Sequence, residues 1–157
     1  LLRISKESFD ALCFNCYALS PDHEKMNHAL EISGLPMIIG EYHFGTVDRG
    51  LAQSLWQVNS QKERGDAFRY YTENAFAHRG LIGTGWFRWI DQNINGRTDG
   101  ENYNCGFIDV TDRPYPYMVD AAIETAKSLY EIHSGTKTPF HQAPNAVGHS
   151  PIPDLWE

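Results

Sequence analysis

The run Pro36-Met37-Ile38-Ile39-Gly40 leads straight into a carboxylate, Glu41, which is followed by Tyr42-His43-Phe44-Gly45. A short apolar stretch between Pro and Gly reads as a strand buried on both faces of a parallel sheet. A carboxylate at its end is costly to desolvate unless it is hydrogen-bonded or used. In α/β barrels such strand ends are where reacting groups stand. The plainer alternative is an acid that only reaches water or pairs with a nearby Arg. Two further strand-like runs bring polar groups to comparable places. Ala11 to Leu19 carries Asn15 and Tyr17, and Leu81 to Ile90 carries Trp86 and Trp89 and runs into Asp91-Gln92. Residues two apart on a strand share a face, which pairs Glu41 with His43 and Asn15 with Tyr17. One acid, amides, a phenol and indoles suit a sugar, whose apolar face lies on aromatic rings while amides and carboxylates bind its hydroxyls. A carboxylate held by a Tyr hydroxyl stays ionised, as a glycosidase nucleophile must. Taken singly, Trp86, Phe87 and Trp89 are more often core, and His43 is more often a satisfied structural imidazole.

The elements that must position these groups can be read in order. Residues 1–10 are amphipathic and carry little information. After the first strand, Ser20-Pro21 reads as an N-cap followed by Pro at the first helical position. The helix behind it places Met26, Ala29, Leu30 and Ser33 on one face and stops at Gly34. Pro36 then opens the Glu41 strand, which makes a βαβ unit with parallel strands. Thr46 to Asn59 reads as a loop containing Trp56, and loops of that length are often functional. Ser60-Gln61-Lys62-Glu63 matches a capping box. Its helix repeats Ala67, Phe68, Tyr71, Ala75 and Phe76 on a buried face, with His78-Arg79-Gly80 closing it. The third strand's two glycines suggest close backbone approach. A long polar loop, Asn93 to Pro116, precedes a last helix at about 117–133. The apolar pattern there predicts burial of Val119, Ala122, Ile123, Ala126, Leu129 and Tyr130. Beyond Gly135 the Pro-, His- and Ser-rich composition predicts little regular structure. The division is thus 1–135, an α/β body of three βα units, and 136–157, an irregular tail.

Length and composition bound the function. The 157 residues suffice for one domain with a real core, and 41% apolar with 13% aromatic content indicates a folded chain. A net charge of -7 with scattered basic residues excludes a phosphate-tracking stripe, so no nucleic-acid partner is expected. No apolar run reaches the length of a membrane span, and the first residues lack the layout of a signal peptide. Leu1-Leu2 without Met reads as a processed or cut start. Three cysteines give no complete disulfide framework. Cys13 and Cys16 have CxxC spacing, but they lie inside an apolar strand with no second pair, and the seven His show no helical ligand spacing. No metal and no cofactor are therefore expected.

Four runs taken in order carry a resemblance: NCY at 15–17, IIGEYHFG at 38–45, GWFRWIDQ at 85–92 and GRTDGENYNCGFIDVTDRPYP at 96–116. Over about residues 10–133 the chain resembles the C-terminal part of the family 50 glycoside hydrolases, the β-agarases, in the clan of retaining (β/α)8-barrel glycosidases. The resemblance implies that the three βα units correspond to strands six to eight of such a barrel. It implies Glu41 as the nucleophile and Tyr17 as the tyrosine that hydrogen-bonds it, with Asn15 beside them. Trp86 would be the sugar-stacking aromatic, and His43, Asp91, Gln92, Arg97, Glu101 and Asn102 would line the substrate cleft. The implied partner is a galactan oligosaccharide or polysaccharide, and the implied location is extracellular or periplasmic. One departure matters. Retention needs a second carboxyl about 5–5.5 Å from the nucleophile, which this clan takes from an Asn-Glu after the fourth strand, and three units do not close an eight-stranded barrel. The chain then reads as a piece of a larger enzyme lacking its N-terminal barrel strands, with Glu101 as a conceivable substitute acid. Rival readings are a non-catalytic carbohydrate-binding remnant and a thiol- or metal-dependent protein using Cys13 and Cys16.

Overall fold

The computed structural model describes residues 2–149. A short helix α1 (Leu2–Ser8) precedes strand β1 (Leu12–Asn15), helix α2 (His23–Ser33) and strand β2 (Met37–Tyr42). After the two-residue strand β3 (Trp56–Gln57) come helix α3 (Gln61–Phe76), strand β4 (Leu81–Trp86), helix α4 (Pro116–His133) and strand β5 (Val147–Gly148). The main sheet is parallel, in the order β1-β2-β4, so the α/β class and the strand–helix–strand sequence hold.

One face of this sheet is closed and the other is open. Met37, Ile39 and Leu81 form one core with Met26 and Ala29 of α2 and with Ala67, Phe68, Tyr71 and Ala75 of α3. On the opposite face Cys13 and Asn15 are exposed, and a Cβ at Gly40 would lie 2.9 Å from Asn15 Oδ1 and 3.0 Å from Cys13 Sγ. β1 and β4 are both edge strands. Gly85 has no room for a side chain, since a Cβ there would collide with the Gly40 carbonyl across the strand pair.

Local signals place the helix ends with one correction. Gly34 ends α2 in the left-handed region at φ 67° and returns its N–H to the Leu30 carbonyl. Ser60 caps α3 by accepting from Glu63 N–H at 3.2 Å, and the Glu63 carboxylate accepts from Asn59 N–H at 2.8 Å. The N-cap of α2, however, is Asp22 rather than Ser20, because its carboxylate accepts from both Glu24 and Lys25 N–H. α3 ends at Phe76, before the His78-Arg79 pair reaches its last turn.

The face of α4 differs from the sequence expectation. Met118, Ala121, Thr125, Ser128 and Ile132 are buried, whereas Ile123 and Tyr130 are exposed. The reason lies in α3. A Cβ at Gly65 would sit 2.5 Å from the Tyr117 carbonyl, so the two helices approach closely and require small side chains between them. Ala121, Thr125 and Ser128 meet that need. The bulky stripe Ile123–Tyr130 is left facing outward. Residues 136–149 carry little regular structure beyond β5, yet specific contacts hold them to the body. Phe140 N–H donates to Glu73 at 2.8 Å, the Arg69 guanidinium covers the Phe140 ring, and β5 pairs antiparallel with β3.

Candidate active site

Parallel pairing sets Asn15 opposite Glu41, with Cys16 N–H donating to the Glu41 carbonyl at 2.9 Å. One residue further, the Tyr17 hydroxyl donates to Glu41 Oε2 at 2.8 Å. The bond occupies one carboxylate oxygen and fixes the direction of the acid. Burial, reinforced by the Glu41 carboxylate, holds the Tyr17 phenol well above its ordinary range, so it remains a donor at any working pH. Glu41 and Tyr17 are each half-buried, at the C-terminal end of the sheet.

His43 is at the same place but points its polarity into the fold. Leu55 N–H donates to its Nε2 at 3.1 Å, which fixes the neutral tautomer, and Nδ1–H donates to the Phe87 carbonyl at 3.0 Å. The ring is 1% exposed, and burial pushes its pKa down to about 4. Both ring nitrogens are committed, so the side chain expected to touch substrate is instead a strut between β2, the following loop and the end of β4. Its ring meets Tyr17 edge-on at 5.0 Å and Tyr103 at 5.7 Å.

Asp91 and Gln92 are likewise internal. The Asp91 carboxylate accepts from Gly106 N–H at 2.6 Å, Asn104 Nδ2 at 2.8 Å and the Tyr115 hydroxyl at 2.6 Å. Beside it the fully buried Arg64 donates to the Asn104 and Gly106 carbonyls and lies over the Tyr115 ring. This buried ionic hub fastens the 91–115 loop to α3. Gln92 is 0% exposed; it accepts from Tyr103 N–H at 2.6 Å and donates to Glu101 at 2.8 Å. Both side chains are buried, Asp91 at 4% and Gln92 at 0% exposure.

Trp86 is also committed elsewhere. Its indole packs edge-on against Tyr42, Phe68 and Phe107, and Nε1–H donates to the Cys105 carbonyl at 2.6 Å. The aromatic ring that borders the cluster is the next residue, Phe87, 5.9 Å from the His43 ring and under the Arg97 guanidinium at 5.8 Å. Four expected residues, Asn15, Arg97, Glu101 and Asn102, remain at the rim. Arg97 pairs with Asp99 at 2.7 Å and with Glu101 at 3.4 Å, Glu101 is half-buried, and Asn15 is exposed. Asn102 accepts from Ala52 N–H at 3.3 Å, tying the two loops. Phe87 and Tyr103, which border His43, and Trp56, which donates to the Tyr17 carbonyl, are the neighbours that sequence reading missed. The sequence marks them only as aromatics near strand ends, a signal shared by every core ring. Among the described residues no three His, Cys, Asp or Glu converge as a metal ligand set, and no helix is long and apolar enough to cross a membrane.

The chain, then, offers a carboxylate with a fixed phenol donor at the end of a parallel strand. No family model matches it. It is 40% identical over 129 residues to β-agarase A of Vibrio sp. (strain JT0107), an alignment that covers 81% of this chain and 12% of that protein. The structure of an exo-β-agarase superposes with a TM-score of 0.79 at 35% identity, covering 84% of this chain and 18% of the other. That of PfGH50B gives 0.77 at 40% identity, covering 81% and 18%. By this shared sequence and fold the chain belongs to the family 50 glycoside hydrolases, the β-agarases, and spans only a small part of the length of its relatives.

Proposed function

We propose that this chain is the nucleophile-bearing part of a retaining glycoside hydrolase that cleaves β-galactosidic bonds in agarose or a related galactan. The observation that carries the reading is the 2.8 Å bond from the Tyr17 hydroxyl to Glu41 across two parallel strands. With Oε2 occupied, Oε1 attacks the anomeric carbon, the bond to the leaving oxygen breaks, and a covalent glycosyl-enzyme forms. Water then releases the sugar by the reverse displacement. Asn15, Arg97, Glu101 and Asn102 at the rim, with the Phe87 ring, are assigned to binding sugar hydroxyls and the ring's apolar face. A polysaccharide substrate of this kind places the enzyme's work outside the cytoplasm.

Both displacements need a second carboxyl as acid and then base, about 5–5.5 Å from the nucleophile. Glu101 is tied to Gln92 and Arg97, which suits a binding role better than proton transfer. The acid is therefore assigned to a segment outside these 157 residues. The open sheet face and the two free edges of β1 and β4 support a barrel completed by further strands. On its own the chain binds galactan without cleaving it. The test is to join it to the preceding barrel portion of a relative and assay release of sugar from agarose. Activity that disappears in Glu41→Gln is the expected result, and full activity in that variant would remove Glu41 from the mechanism.

A further inference from the structure

The Tyr17 hydroxyl can hold Glu41 only if the chain carrying it is itself held, for residue 17 lies beyond the last sheet residue of β1. Two side chains grip consecutive carbonyls there. The Tyr71 hydroxyl of α3 donates to the Cys16 carbonyl at 2.6 Å, and Trp56 Nε1–H donates to the Tyr17 carbonyl at 2.8 Å. Tyr71 is anchored by its helix. Trp56 lies in the loop after β2, and its rigidity has to come from somewhere else.

Three tethers supply it. Gly45 N–H donates to the Trp56 carbonyl at 2.9 Å and Val58 N–H to the Gly45 carbonyl at 2.9 Å, which extends β2 pairing along the loop. The Trp56 ring meets Phe44 at 6.4 Å. On the other side the tail closes over it: β5 pairs with β3 by setting Gly148 opposite Trp56, and His149 N–H donates to the Leu55 carbonyl at 2.7 Å. A Cβ at Gly148 would lie 2.9 Å from the indole, so the tail backbone lies directly on the ring. A residue with a side chain would lift it off.

We propose that Trp56, clamped by the β3–β5 ribbon, is a positioning residue that fixes Tyr17 for its bond to Glu41. The tail segment Val147–Gly148 then belongs to the site's support, and the single N–H of the indole is the working contact. The inference rests on the functional reading above only in what the Tyr17–Glu41 pair is for; the geometry stands without it.

Trp56→Phe keeps an aromatic ring against Phe44 and removes that N–H together with part of the indole surface under Gly148. The probe is the Tyr17 hydroxyl proton, followed by NMR at neutral pH in the 157-residue chain and assigned by its loss in Tyr17→Phe. In Trp56→Phe its exchange with water should accelerate about tenfold or more, since a local opening now costs one hydrogen bond less, while chemical shifts of the α3–α4 core stay in place. Gly148→Val, which pushes the tail off the indole and leaves Trp56 itself unsubstituted, should act in the same direction and decides the matter if Trp56→Phe does not fold. Unchanged hydroxyl exchange in the folded variants would overturn the proposal. The readout needs no hydrolysis: a barrel that fails to cleave galactan while Tyr17 loosens in Trp56→Phe removes the functional reading only. Cleavage with Tyr17 undisturbed removes the positioning role only.

Discussion

Acidifying the protein from pH 6.5 to pH 4 puts the buried imidazole of His43 under test. In the unfolded chain it takes up a proton near the ordinary 6.5, whereas in the fold burial holds its pKa down to about 4. Above pH 6.5 both states are neutral and the group contributes no pH dependence. As pH falls below that value the unfolded chain binds the proton first, so folding stability declines until the folded imidazole also protonates near pH 4. At about 1.36 kcal/mol for each pH unit of separation, the loss amounts to about 3 kcal/mol once both titrations are complete. Burial is the main reason that the ring refuses the proton, and two contacts oppose it further. Nε2 would have to bear a hydrogen against the Leu55 N–H that it now accepts from, and the Arg64 cation adds a smaller repulsion. The assay is urea unfolding at half-unit steps from pH 4 to 7.5 for the wild type and for His43→Asn, which keeps a polar group at the Nδ1 position without titrating. Carboxylates and the other histidines act in both proteins and cancel in the difference. The wild type should lose about 2–3 kcal/mol more than the variant between pH 6.5 and pH 4. A difference that stays flat, or one that grows toward neutral pH, would refute the buried neutral strut.

Three further outcomes follow from the packing. Asp91→Ala should destabilise the fold by about 3–5 kcal/mol, because it strands Arg64 without its buried counter-charge; thermal unfolding compared with a surface Asp66→Ala control reads this. Gly45→Ala should cost about 1–3 kcal/mol through overpacking, since the new Cβ would overlap Ser54 Oγ and crowd the Asn104 carbonyl; chemical denaturation measures it. Ile123→Asp with Tyr130→Asp should change the stability of this chain by no more than about 0.5 kcal/mol per site, as both side chains are exposed. The same pair should weaken association with the proposed preceding barrel portion, which sedimentation of the mixed polypeptides can measure.

The three strands of the main sheet and the order of elements were legible because they rest on local rules, while the Tyr17–Glu41 pair was an expectation from the family resemblance. Apolar runs between Pro and Gly mark the strands, Gly34 and Ser60 mark helix ends, and parallel neighbours bring their C-terminal residues together. What escaped the sequence depends on partners distant in the chain. His43 looks like a ligand until Leu55 and Phe87 take both of its nitrogens, and Asp91 looks like a cleft residue until Gly106, Asn104 and Tyr115 surround it. For α4 the pattern held two candidate faces. A single glycine on the facing helix, Gly65, selected the one with small side chains. The two-residue pairing of β5 with β3 is too short for any periodicity to reveal.

The claim on which the account turns is that Glu41 forms the bond to sugar. It is tested most directly by incubating the completed barrel with a 2-deoxy-2-fluoro galactoside carrying a good leaving group and mapping the adduct by peptide mass spectrometry. One glycosyl unit esterified to Glu41, absent in Glu41→Gln, is the expected result. An active enzyme that carries the label on another carboxylate, Glu101 or Asp91 among them, would contradict it.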